Sequence, residues 1–176
     1  MTEVKPKNSR YSLKSREFNI EGYNVHGCNR ENKLGRGVIL YAHKSLDAIP
    51  FEPKVKFQES VWLKIKLNKY ENMIVDCIYG SDSGSSENNE RLREQMREVV
   101  GMNHTRMLIM GDFNYRDINW SNWTCRGGID SEEFKFTELV KDCSLYQHVS
   151  QYTRGRMNNE PSLIDLVMSR EERMVF

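Results

Sequence analysis

Met107-Leu108-Ile109-Met110-Gly111-Asp112-Phe113-Asn114 carries the strongest structural signal in the chain. Four apolar residues in succession predict a short strand covered on both faces. Gly111 then permits a backbone turn, and an Asp and an Asn follow two positions apart. Side chains alternate along an extended chain, so Asp112 and Asn114 are expected on one side, with Phe113 directed back to the core. A carboxylate and a carboxamide at the carboxyl end of a buried strand suit a polar site on a rigid scaffold. They equally suit a turn in which both side chains cap backbone groups. Spacing alone leaves both readings open.

Outward from that strand, hydrophobic periodicity lays out the neighbouring elements. Gly37 to Ala42 reads as a strand. Val61, Leu63, Ile65 and Leu67 alternate with Trp62, Lys64 and Lys66, a period-two strand. After a polar turn at Asn68 to Asn72, Met73 to Tyr79 completes a hairpin, and Gly80 to Ser86 is a Gly/Ser loop. Leu92, Met96, Val99 and Val100 recur at helical spacing and predict an amphipathic helix over Glu87 to Asn103. Asp130, with Glu133 three residues on, predicts a capped helix that presents Phe136, Leu139, Val140 and Cys143 on one face. Ser162 to Ser169 reads as the last strand. Phe57, Trp62, the methionines and the helix stripes are expected in the core.

Composition narrows the class without fixing it. The 176 residues carry 26 basic and 25 acidic side chains, so no global field announces a nucleic-acid partner. A nuclease with a local basic surface remains compatible with that balance. Cys28, Cys77, Cys125 and Cys143 have neither metal-type spacing nor a short secreted framework, and read as reduced thiols of an intracellular, nuclear or cytoplasmic protein. No apolar run approaches membrane-spanning length, so no membrane partner is expected. One domain over 1–176 follows from the length.

The Gly111-Asp112-Phe113-Asn114 tetrad after an apolar strand resembles the signature of the exonuclease–endonuclease–phosphatase superfamily, magnesium-dependent phosphodiesterases of DNase-like fold. Tyr115-Arg116-Asp117-Ile118-Asn119-Trp120, Thr153-Arg154 and Ser162-Leu163-Ile164-Asp165-Leu166-Val167 are similar to endonuclease domains of non-LTR retrotransposons. The resemblance implies an α+β fold, a two-sheet β-sandwich flanked by helices in four layers. Hairpins with intervening helices point the same way.

Site residues follow from the same resemblance. Glu3, in Thr2-Glu3-Val4-Lys5-Pro6, matches a metal-binding glutamate, and magnesium (or manganese) is the implied cofactor, held by hard oxygen ligands. Tyr79 matches a tyrosine facing the scissile phosphate, where a phenol donates to an oxygen that gains charge in the transition state. A core tyrosine with a surface hydroxyl is the alternative. Asp112 matches the residue acting on the water nucleophile, and Asn114 the residue hydrogen-bonding the phosphate. Asp165 matches an aspartate that orients a catalytic histidine. That histidine belongs to a Ser-Asp-His segment downstream in the family. His26, His43, His104 and His148 match no family position and read as structural or surface residues. Arg154 either contacts a DNA phosphate or braces its loop, and bracing is the expectation. Lys5, Lys7, Arg10, Lys14 and Arg16 form a basic stretch, read as a solvated loop before a DNA contact.

The implied domain lacks family strands upstream of Glu3 and the downstream Ser-Asp-His strand, as in an incomplete copy or a truncated gene model. Three functions compete. The first is a magnesium-dependent endonuclease acting on DNA, fused to or associated with a reverse transcriptase in its parent element. The second is a non-catalytic remnant or DNA-binding module. A superfamily phosphatase is the third, disfavoured by the segments around Trp120, Thr153 and Ser162.

Overall fold

The computed structural model describes residues 2, 18–29, 37–80, 85–102, 104, 106–156 and 159–174. Its centre is a six-stranded sheet, built from β3 (Asp47–Phe51), β4 (Ser60–Lys66), β5 (Asn72–Tyr79), β6 (Arg106–Asp112), β9 (Tyr146–Gln147) and β12 (Asp165–Ser169). The order is β3-β4-β5-β6-β12-β9. Only β5 and β6 run parallel, joined by the crossover helix α1 (Ser86–Gly101). The other neighbours are antiparallel. A second sheet pairs β1 (Tyr23–Asn29) with β2 (Gly37–His43). Two short hairpins complete the described strands, β7–β8 (Ile118–Asn119 and Thr124–Cys125) and β10–β11 (Arg154–Arg156 and Asn159–Ser162).

Alternation divides the core. Ile74 and Ile78 of β5, Met107 and Ile109 of β6, and Leu166 and Met168 of β12 face the helices α1 and α2 (Glu132–Asp142). Leu92, Met96 and Val99, with Phe136, Leu139 and Val140, meet them from the helix side. On the opposite face Val61, Leu63, Ile65, Val75, Cys77 and Tyr79 pack against Val38, Leu40 and Ala42 of β2. Among the described residues this gives three layers: helices, the large sheet and the small sheet. Trp62 lies on the helix face, its indole N–H donating to Gln95 Oε1 at 2.9 Å, so β4 is buried on both sides there.

Three expectations change in detail. The second helix is capped by Ser131, whose hydroxyl accepts from Phe134 N at 3.1 Å, and not by Asp130. The last strand is two strands, interrupted at Leu163 and Ile164. There the backbone turns its groups to other partners: Ile164 O accepts from Phe113 N at 2.8 Å, and Thr153 Oγ1 accepts from Ile164 N. Gly111 is not a turn but part of β6, with φ 151°. A Cβ built there would lie 1.9 Å from the carbonyl oxygen of Ile78, so the parallel pairing of β5 and β6 requires glycine.

Among the described residues Cys77, Cys125 and Cys143 form no disulfide. Among the described residues no helix is long and apolar enough to cross a membrane.

Candidate functional site

The carboxyl ends of β5 and β6 and the start of β12 meet at one end of the large sheet. Tyr79 pairs with Asp112 in the parallel β5–β6 ladder, and Asp112 pairs with Asp165 in the antiparallel β6–β12 ladder. Cross-strand partners put their side chains on the same face, so the three form one row on the side turned toward the small sheet. The Tyr79 ring is 3% exposed within the inter-sheet core, whereas Asp112 is half-buried and Asp165 exposed.

Asn114 joins this row by a route other than strand alternation. The extended chain ends at Asp112, and Asn114 has φ 57°, a left-handed conformation that Asn tolerates better than most residues. Its backbone N–H donates to Asp112 Oδ1 at 3.1 Å, and its side-chain Nδ2 donates to Gly80 O at 2.6 Å. Gly80 N in turn donates to Asp112 O at 2.6 Å. A Cβ on Gly80 would meet Phe113 O at 2.6 Å, so this close approach also depends on a missing side chain. Phe113 points into the helix-side core, 2% exposed.

Asp165 is held from behind by Thr153. The Thr153 hydroxyl accepts from Asp165 N at 3.1 Å and from Ile164 N at 3.2 Å, while Thr153 N donates to Ser162 O at 3.1 Å. Arg154, in β10, pairs with Ser162 and lines a neighbouring cleft. Glu3 and the basic stretch from Lys5 to Arg16 lie outside the described residues. His148 bonds Ser169 Oγ at 2.8 Å, at the opposite end of β12 from Asp165.

Beside the row opens a cleft of about 920 Å³ between the β7–β8 and β10–β11 hairpins. Arg116, Trp120, Arg126, Tyr152 and Arg154 are among its walls, and Arg126 spans to Glu160 at 2.8 Å. Sequence reading missed this cleft, although the density of arginine and aromatic residues between Tyr115 and Arg126 was its available signal. Tyr115, next in sequence to Arg116, is stacked on Phe136 with ring centroids 4.5 Å apart. Burial pushes the Tyr115 phenol above its ordinary range.

The donors at this end, Asp112, Asp165 and the Asn114 amide, are oxygen ligands, the type a hard cation takes. Among the described residues no three of His, Cys, Asp and Glu gather as a set for one ion. The oxygens present fit a hard cation by chemistry.

The fold is that of the exonuclease–endonuclease–phosphatase class. The endonuclease domain of TRAS1, a telomere-specific non-LTR retrotransposon, superposes with a TM-score of 0.62 at 14% identity, covering 87% of this chain and 69% of that domain. An endonuclease/exonuclease/phosphatase family protein from Bacteroides thetaiotaomicron gives 0.54 at 13% identity, covering 84% of this chain and 61% of its own. The chain thus spans about two thirds of those structures. No curated protein matches the sequence. The endonuclease–reverse transcriptase family model matches residues 73–174, and the chain belongs to that family.

Proposed function

We propose that this chain is a DNA endonuclease domain that hydrolyses phosphodiester bonds with a divalent metal, magnesium or manganese. In this reading it derives from a retrotransposon and acts in company with a reverse transcriptase. The observation that supports it is the convergence of Tyr79, Asp112 and Asp165 in one row, with Asn114 bonded into it.

Each residue has a chemical task in this reading. Hydrolysis needs a water in line with the leaving oxygen and neutralised charge on the non-bridging oxygens. Asp112 orients the water and takes its proton. The Asn114 amide has two donor hydrogens, one committed to Gly80 O and the second directed to a phosphoryl oxygen. Tyr79 donates its phenolic proton to the same group. Asp165, fixed through Thr153, is the carboxylate that would orient an imidazole; with His148 at the far end of β12, solvent water protonates the leaving group here. Glu3, with donors at the end of β6, would hold the cation, which neutralises phosphoryl charge when bound.

Supercoiled plasmid incubated with magnesium tests the proposal. Relaxed circles are expected from the native chain and not after chelation with EDTA or in Asp112→Ala. Nicking that persists unchanged in Asp112→Ala would overturn it.

A further inference from the structure

We infer that Glu160 holds the place of a DNA phosphate in the cleft between the β7–β8 and β10–β11 hairpins, paired with Arg126 until a substrate strand displaces it. The inference rests on the endonuclease reading and adds to it a residue that sets how readily the cleft admits DNA. Arg126 is anchored to its own hairpin: its backbone N–H donates to Asp117 O at 3.2 Å, and Nη1 lies 4.0 Å from Asp117 Oδ1. Its Nη2 reaches the other way, to Glu160 Oε2 of β11 at 2.8 Å. Both residues line the cleft, so this ion pair joins one wall to the other.

The pair is built to be exchanged. Its side chains are 73% and 78% exposed, so water and salt screen their attraction and separation costs little. Glu160 engages Arg126 through Nη2, whereas a phosphate offers oxygens to both prongs of the guanidinium fork. The surroundings suit a nucleic-acid strand. Tyr152, just before β10, lines the cleft with its ring 72% exposed, a platform on which a base can stack. The next residue, Thr153, holds Asp165 N at 3.1 Å, which ties this wall to the polar row. Because the chain carries a formal net charge of only +1, attraction for DNA has to come from local groups. A carboxylate inside the cleft subtracts from that attraction directly. Glu160 thereby lowers affinity for any duplex that does not seat a phosphate at Arg126.

Fluorescence anisotropy of a fluorescein-labelled DNA duplex, with EDTA present so that binding is read without cleavage, tests the exchange on the full chain. Glu160→Gln is expected to tighten binding by about three- to fivefold, the most that release of an exposed pair supplies. Arg126→Gln should weaken binding and lower its salt slope by about one. In an Arg126→Gln background most of the gain from Glu160→Gln should disappear, because the competition runs through that guanidinium. Glu52→Gln is the control for charge alone, since it breaks an exposed pair with Lys56 just past β3 at the other edge of the sheet. Equal gains from Glu160→Gln and Glu52→Gln, or a gain that persists in full without Arg126, would overturn the inference. A chain that binds no duplex, in native or Glu160→Gln form, would overturn it as well. Binding that follows the expected pattern without any plasmid nicking would instead sink the endonuclease reading and leave the exchange at Arg126 standing.

Discussion

The methyl group that Gly111 lacks governs the centre of the sheet as firmly as any side chain present. Ile78 O occupies the space that such a group would need. Gly111→Ala is therefore expected to destabilise the chain at or beyond the roughly 1–3 kcal/mol typical of overpacking. Urea unfolding followed by tryptophan fluorescence reads that loss, and an unchanged midpoint would refute the steric account. Next to it, Asp112 makes a different kind of demand. Its Oδ1 accepts the Asn114 N–H, a bond that the amide oxygen of the Asp112→Asn variant can also accept. That variant should thus fold normally, yet lower nicking on the order of a hundred- to ten-thousand-fold, the usual cost of removing a positioned acid–base group. Equal nicking by Asp112→Asn and native chain would remove Asp112 from the chemistry.

Between elements, two buried ionisable groups carry separate loads. Arg93 on α1 has a side chain 2% exposed and bridges Glu90 of its own helix and Glu132 at the start of α2, each at 2.5 Å. Truncating one member of a buried pair costs about 3–5 kcal/mol, and the partly exposed glutamates put Arg93→Ala at the low end of that range. Calorimetry should show this as a lowered Tm. Asp76, fully buried on the helix face of β5, accepts Met110 N at 3.0 Å, and burial raises its carboxyl well above 3.8. Between the unfolded and folded values the native chain holds a proton that the unfolded chain has lost. Stability contributed by this group accordingly falls as pH rises from about 3.8 through the folded value. Asp76→Asn should flatten that slope, measured by urea unfolding across pH. How far such elements were legible depends on the range of the forces that set them. The stripes of α1 and the alternation of β4 are local, and the sequence displays both. Asp130 and Ser131 are both good caps, and only backbone geometry chose the serine. Gly111 answers to Ile78, thirty-three residues earlier, and the break at Leu163 and Ile164 answers to Phe113 and Thr153. In the same way, alternation was the wrong reason for bringing Asn114 toward Asp112. A left-handed residue and a bond to Gly80 O do it instead.

At the scale of the molecule, the large sheet ends in β3 on one side and the two-residue β9 on the other. β3 carries Pro50, which removes a backbone N–H from that edge, and Asp47 at its start. Ile49 beside them is 55% exposed, so the edge is apolar enough to need such protection. Pro50→Val should increase self-association, visible as faster species in sedimentation velocity. A monomer at all concentrations would show that Pro50 guards nothing.

The position of β12 has a consequence for how the chain is made. Strands arrive from the ribosome in numerical order, yet β12 inserts between β6 and β9, both synthesised before it. Until residues 165–169 emerge, β6 has an open edge and Asp112 has no Asp165 beside it. A nascent chain can complete the crossover through α1 and bring Tyr79 to Asp112 much earlier. Assembly of the polar row therefore waits for β12, and a ribosome stalled before residue 165 holds a partly folded chain in which the row lacks Asp165.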